Sequence, residues 1–232
     1  ALEYPGAVTE ATSGECMTDA DGDGFGDAGA EGLYDAGTDC NDADASEFPG
    51  AVTEATAGEC MTDADGAGYG DLLASGLYDT GTDCDDSSAD TYPGAASLEP
   101  SLCTHDRDAD GYGAQSVSSP VQAGTDCDDN AATTYPGVAS LETYGWWSCM
   151  ADADADGYGD HDVAWPIYDG TDCDDASAAT YPGAAALEST LCTLDADGDG
   201  YGDDSLAEPI DAGSDCDDAD ASIHPDVTGY DW

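Results

Sequence analysis

Apolar residues are thinly spread along this chain, and they gather in two recurring places. One is a short stretch such as Gly32-Leu33-Tyr34-Asp35, Gly76-Leu77-Tyr78-Asp79 or Trp165-Pro166-Ile167-Tyr168. These stretches lie within longer variable segments, for example 28–37 and 115–124, and predict a short β-hairpin or an extended excursion. The other is an aromatic residue before a proline: Phe48, Tyr92, Tyr135, Tyr181 and His224 precede Pro49, Pro93, Pro136, Pro182 and Pro225. Just upstream, Ala43–Glu47 and its equivalents predict a single helical turn with an Asp cap, which the proline ends. The pre-proline aromatics are expected to cluster with the aromatic of the acidic loop, helped by Leu98, Leu141 and Leu187. Trp146-Trp147 has no counterpart elsewhere and is expected to be an exposed contact patch. No run of 18 apolar residues occurs, so no helical membrane span is predicted. With 30 Gly, 10 Pro, 2 Phe and 4 Trp, one large core is not expected.

The cysteines set the period. First cysteines fall at Cys16, Cys60, Cys103, Cys149 and Cys192, and second cysteines at Cys40, Cys84, Cys127, Cys173 and Cys216. Each second cysteine lies 24 residues after its first, whereas the gaps between pairs vary from 19 to 22. Length is thus held inside the pair and relaxed outside it, which predicts disulfides Cys16–Cys40, Cys60–Cys84, Cys103–Cys127, Cys149–Cys173 and Cys192–Cys216. Closing such a loop contributes about 3.5 kcal/mol in the chain-entropy model. Free thiols and cysteine-ligated zinc are the alternatives, although zinc sites usually pair cysteines two to four residues apart. The resulting organisation is a connector half-repeat (1–15) and five repeats: 16–59, 60–102, 103–148, 149–191 and 192–232.

Charge changes the picture further. The chain has 54 acidic side chains, one basic residue (Arg107) and a formal charge of −53. Such self-repulsion opposes a compact state unless cations neutralise it, and it argues against nucleic acid as a partner. Of the acids, 43 are Asp and 11 are Glu, and Asp suits turns and tight ligand loops. These Asp keep register. Three, five, seven and eleven residues after the first cysteine stand Asp19, Asp21, Asp23 and Asp27 in the first repeat. The second repeat has Asp63, Asp65 and Asp71, with Ala67 in the third place; the third has Asp106, Asp108 and Asp110, with Ala114 in the fourth. The last two repeats have Asp152, Asp154, Asp156, Asp160 and Asp195, Asp197, Asp199, Asp203. A Gly and then Phe25, Tyr69, Tyr112, Tyr158 or Tyr201 complete each loop. A second acidic cluster flanks the second cysteine: Asp39, Asp83, Asp126, Asp172 and Asp215 before it, and Asp42, Asp86, Asp129, Asp175 and Asp218 two residues after it.

The first cluster matches an EF-hand-type calcium loop at positions 1, 3, 5, 6, 7 (a backbone carbonyl) and 9. Position 12, the closing carboxylate, is Ala30, Ala74, Val117, Val163 or Leu206. The second cluster can supply that charge, with Asp42 and its counterparts the first candidates and Asp39 and its counterparts next. The cofactor expected is calcium, one to two ions per repeat; magnesium, which keeps its waters, is the weaker candidate.

The pattern Asp-x-Asp-x-Asp-Gly-Tyr-Gly-Asp, then Asp-Cys-Asp-Asp, then Tyr-Pro-Gly-Ala, resembles the bacterial metal-binding repeat of MopE-type surface proteins. It is also similar to thrombospondin type 3 calcium repeats, which place their cysteines differently. The resemblance implies an extracellular, calcium-stapled array with little regular secondary structure. In MopE-type proteins copper is associated with histidines and an oxidised tryptophan, but His105, His161 and His224 occupy unrelated offsets here.

The fold class expected is therefore an irregular calcium- and disulfide-stapled tandem array, mostly loop, with short β-hairpins and single helical turns. Ten cysteines point to an oxidising compartment, hence to a secreted or cell-surface protein whose signal peptide has been removed. Five near-copies of one acidic unit argue against an enzyme, which needs one distinct pair of perturbed groups. The expected role is a calcium-rigidified surface fibre or filament subunit assembling head to tail, because the N-terminal connector lacks a calcium unit before it. A calcium or copper store, and an adhesive spacer from a longer secreted protein, are the alternatives. A glycan or cell-surface partner stays open.

Overall fold

The structure, a computed structural model, describes residues 8–56, 58–143 and 147–226. Among these residues there is no helix. Regular structure is confined to three antiparallel ribbons of three-residue strands: β1 (Thr91–Pro93) with β2 (Cys103–His105), β3 (Thr134–Pro136) with β4 (Cys149–Ala151), and β5 (Thr180–Pro182) with β6 (Cys192–Leu194). Threonine and tyrosine favour the extended backbone, and the proline that follows cannot donate to a ladder, which keeps each strand short. The registers are equivalent, with Pro93, Pro136 and Pro182 opposite Cys103, Cys149 and Cys192. The chain forms two compact units: residues up to Arg107 with Val117–Gly124, and Asp108–Ser116 with the residues from Thr125 on.

The ribbons thus join the end of one repeat to the start of the next, and not the two ends of a variable segment. Segments 28–37 and 115–124 contain no strand; they run through turns and bends and are tacked to the first cysteine. Asp35 N–H donates to the Cys16 carbonyl at 2.9 Å while the Asp35 carboxylate accepts from Cys16 N–H at 2.8 Å. Asp79 with Cys60 and Asp211 with Cys192 repeat the pair. The helical turn expected at Ala43–Glu47 is absent as well. Tight turns take its place, with Asp44 N–H on the Asn41 carbonyl and Glu47 N–H on the Asp44 carbonyl, both at 2.9 Å. Asp44 caps locally by accepting from Ser46, which diverts the backbone from a helical ladder.

The disulfides correct the sequence reading. The bonds are Cys40–Cys60, Cys84–Cys103, Cys127–Cys149 and Cys173–Cys192, so Cys16–Cys40, Cys60–Cys84, Cys103–Cys127, Cys149–Cys173 and Cys192–Cys216 do not form. Cys16 and Cys216 are free thiols. Each bond crosses the connector, tying the second acidic cluster of one repeat to the opening residues of the next. Loops of 19 to 22 residues are closed, worth about 3 kcal/mol each in the chain-entropy model.

What fixes the constant length inside a repeat is backbone pairing. Five isolated parallel bridges join the two acidic clusters: Asp27 to Asp39, Asp71 to Asp83, Ala114 to Asp126, Asp160 to Asp172, and Asp203 to Asp215. At the first, Asp39 N–H donates to the Gly26 carbonyl at 2.8 Å and Ala28 N–H to the Asp39 carbonyl at 2.7 Å. The approach is so close that a Cβ on Gly37, Gly81, Gly170 or Gly213 would run into the carbonyl of Gly26, Gly70, Gly159 or Gly202.

The core is a series of small pockets. The residue after the first cysteine is buried every time (Met17, Met61, Thr104, Met150, Thr193), as is one connector residue (Val8, Val52, Ala96, Ala139, Ala185). Each repeat also has a pair of stacked rings: Phe25 on Phe48, Tyr69 on Tyr92, Tyr112 on Tyr135, Tyr158 on Tyr181, and Tyr201 on His224, with centroids 5.0–5.4 Å apart. Leu98, Leu141 and Leu187 do not join these stacks as core; they remain mostly exposed. Leu141 and Leu187 instead hydrogen-bond through their N–H groups to the carbonyls of Gly157 and Gly200 in the next acidic loop. Trp147 is exposed, and Trp146 lies outside the described residues.

Candidate metal centre

Each acidic loop is wound by its own aspartates. In the first repeat Asp19 Oδ1 accepts from Gly22 N–H at 2.6 Å, Asp21 Oδ1 from Asp23 N–H at 3.2 Å, and Asp23 Oδ1 from Phe25 N–H at 2.8 Å. Gly24, Gly68, Gly111, Gly157 and Gly200 turn the loop with φ between 88° and 102°, a conformation that a Cβ disfavours. These turn bonds use one oxygen of a carboxylate and leave the other. Asp21 and Asp23 each hold a buried Oδ2 without a hydrogen-bond partner, and so do Asp65, Asp154, Asp156, Asp197 and Asp199; in Asp152 it is Oδ1.

The second cluster faces these oxygens. Asp39, Asp83, Asp172 and Asp215 are 0 % exposed and Asp126 is 1 % exposed. Each accepts one bond through Oδ1, from Asn41, Asp85, Asp174, Asp217 and Asp128 N–H respectively, and each leaves Oδ2 buried and unpartnered. Asp42, Asp86, Asp175 and Asp218 reach back across the site, accepting from Ala20, Ala64, Ala153 and Ala196 N–H in the first loop.

The electrostatics sort these groups into two overlapping sets. Burial pushes Asp39 up to about 6, its Asn41 bond opposes this, and the charges of Asp23, Asp21 and Asp42 push it further up. Asp83 reaches about 6, and Asp126 and Asp172 about 7, for the same reasons. Asp42 is also raised by burial, with Asp27, Asp21 and Asp19 as its charged neighbours. Asp86, Asp175 and Asp218 repeat that second set with Asp71, Asp160 and Asp203. Both clusters thus converge in every repeat. In the third, Asp108, Asp110, Asp126 and Asp129 come together within one compact unit, whereas Asp106 belongs to the other.

Buried anions without cationic partners are costly, and a donor set of convergent carboxylate oxygens is what a hard divalent ion requires. Asp19, Asp21 and Asp23 bring one oxygen each within 4.8 Å of one another. Groupings such as Asp39 with Cys40 and Cys60 have the same compactness. Their sulfurs, however, are spent in disulfides and offer no thiolate.

Without metal, the raised groups make acid stabilising. Asp39, Asp83, Asp126 and Asp172 titrate at about 6 to 7 in the folded chain against the ordinary 3.8, so the folded state binds more protons between those values. The melting temperature of metal-free protein should therefore rise as pH falls from about 8 to about 5. Thermal scans after exhaustive chelation check this; a maximum at the alkaline end would contradict it.

A family model, Cu-binding_MopE, described as "Putative metal-binding motif", matches residues 39–58, 83–99, 126–141, 172–204 and 215–229. The chain carries the MopE-type motif five times. Every match begins at the deeply buried aspartate of the second cluster. Three of them (39–58, 83–99 and 126–141) end before the next acidic loop, while 172–204 runs through it, so the MopE-type motif is centred on the second cluster and connector more than on the EF-hand-like loop. No curated protein and no solved structure matches the chain.

One set of residues is invisible to a search for ligands. Glu10, Glu54, Glu142 and Glu188 lie in the connectors and accept hydrogen bonds from both clusters of the following repeat. The signal was present: only 11 residues are Glu, and one falls five or six residues after the proline of each connector, Glu99 included. The N-terminal connector is accordingly already engaged, with Thr9 N–H on the Gly24 carbonyl and Glu10 on Gly26 and Thr38.

Proposed function

We propose that this metal-binding repeat protein is an extracellular calcium-binding structural array, each repeat holding one to two calcium ions between its acidic loop and its second cluster. The observation that carries this reading is the column Asp39, Asp83, Asp126, Asp172 and Asp215, buried with an unpartnered oxygen beside the loop aspartates. The loop supplies up to four carboxylate positions, with Ala67 and Ala114 removing one each in the second and third repeats, the main-chain carbonyl of Phe25, Tyr69, Tyr112, Tyr158 or Tyr201 a further one, and the second cluster the closing charge. Two overlapping carboxylate sets support a second ion, with Asp21 and Asp42 shared between them in the first repeat. Calcium suits this all-oxygen, many-carboxylate set better than magnesium or copper. The histidines supply no repeated nitrogen ligand: His161 Nδ1 sits on the Asp172 carbonyl, and the His224 ring stacks on Tyr201.

The ion's role is to support structure more than to be stored or to catalyse, because the metal-free site confines mutually repelling anions. Four disulfides support an oxidising, extracellular setting. Isothermal titration and native mass spectrometry with calcium, magnesium and copper(II) test the reading. About five to ten calcium ions per chain should bind, with magnesium much weaker. Stoichiometric copper that excess calcium fails to displace, or no retained calcium, would overturn it.

A further inference from the structure

We infer that the connector glutamate is a positioning residue for the metal site of the repeat that follows it. This rests on the calcium reading above and adds a residue to it.

Equivalent donors meet the connector carboxylate in four repeats. Glu54 Oε1 accepts from Gly70 N–H at 2.7 Å and from Thr82 N–H at 2.9 Å, and Oε2 accepts from the Thr82 hydroxyl. Glu10 binds Gly26 N–H and the Thr38 N–H and hydroxyl in the same way. Glu142 takes Gly159 N–H and both donors of Thr171; Glu188 takes Gly202 and Ser214 N–H. The two anchored residues are those that precede the metal-site aspartates. Gly70 leads into Asp71 and Thr82 into Asp83, one from each cluster.

The same pair of residues carries the bridge between clusters, since Asp83 N–H donates to the Gly70 carbonyl at 2.8 Å. One carboxylate therefore fixes the amide on one side of this bridge and the residue before it on the other. With Gly70 and Thr82 released, Asp71 and Asp83 would each have to be ordered by the ion itself. A carboxylate suits the task because it is all acceptor and three donors converge on it. Its contact with Gly70 is half-buried and those with Thr82 are exposed; both oxygens are taken up by main-chain and hydroxyl donors, so it acts through the aspartates and is not itself a ligand. The consequence is directional. The connector that leaves one second cluster organises the site of the next repeat, and the disulfide that spans the same connector limits its wandering.

The test uses the full chain in a site-resolved calcium titration by amide NMR, comparing Glu54→Ala, Glu54→Gln and Thr82→Val with the parent. Loss of an outer-shell partner costs roughly 10- to 100-fold in metal affinity. Glu54→Ala should weaken the second repeat's site by about that factor while leaving the fifth repeat unchanged. Glu54→Gln keeps the shared acceptor and should stay within about threefold, and Thr82→Val, which removes only the hydroxyl arm, should fall between. A structural role alone would lower stability equally with and without calcium; positioning predicts a smaller calcium-induced rise in Glu54→Ala. Parent-like affinity in Glu54→Ala overturns the inference and leaves the calcium reading intact. So does Glu54→Gln as weak as Glu54→Ala, which would make the charge the active element. If Glu54→Ala fails to order its repeat even in saturating calcium, unchanged affinity in Thr82→Val overturns it instead. No calcium-dependent shift in the parent would refute the calcium reading itself.

Discussion

With its disulfides intact, the protein should lose on the order of 20 °C or more of melting temperature when calcium is chelated. The size follows from linkage. A site held at a thousandfold its Kd adds about 4 kcal/mol to the folded state, provided the unfolded chain does not bind. Each compact unit contains more than one site, and in a domain of about 100 residues one kcal/mol moves the midpoint by about 4–8 °C. Little else opposes unfolding. The buried apolar residues are small or solitary, the ribbons are three residues long, and the acids repel one another. The disulfides act mainly on the unfolded chain and remain in place in both arms of the comparison. Circular dichroism melts in excess calcium and in excess chelator measure the difference, with broadened transitions expected if repeats uncouple. Superimposable melts would mean that the array stands without its ions, and the structural role would fall.

The sequence made the chemistry of the site legible and concealed its fastenings. A period shared by Asp19, Asp21, Asp23, Asp39 and Asp42 marks the side chains that the fold gathers into one acidic cluster, because groups that share a site must keep their spacing. The stacking of Phe25 on Phe48 was equally foreseeable from two aromatics in constant register. The disulfides were not. Constant spacing between Cys16 and Cys40 reflects the bridge between Asp27 and Asp39, whereas the bond itself runs from Cys40 to Cys60 across a connector whose length can vary. A covalent link needs two side chains to meet and tolerates extra residues between them; a backbone ladder with ligands on both strands does not. The connector glutamates were hidden because ligand reasoning looks for acids near the cluster, and Glu10 bonds to amides from 16 and 28 residues away. The helical turn at Ala43–Glu47 failed because Asp44 and its neighbours satisfy the backbone in tight turns before a helix can start.

Replacing Asp172 by Asn should change stability with opposite signs in the two metal states. In the metal-free protein Asp172 is fully buried and pushed up to about 7 by burial and by Asp156, Asp154 and Asp175. Asn keeps the acceptor for Asp174 N–H, removes the charge, and turns an amide donor towards those carboxylates. At pH 8 in chelator the variant should be more stable by on the order of 2 kcal/mol. In calcium the same change removes an anionic ligand and points a donor at the cation, so affinity at the fourth repeat should fall by about tenfold or more and the melting temperature with it. Asp172→Ala is less informative, because it also leaves a void. The inversion separates a metal centre from an acidic surface ornament. An aspartate that merely accepts a structural hydrogen bond would lose only the charge-assisted part of that bond to Asn, equally in chelator and in calcium. One that merely repels its neighbours would be stabilised by Asn in both. Paired melts of parent and Asp172→Asn decide among the three, and two shifts of the same sign would remove Asp172 from the site.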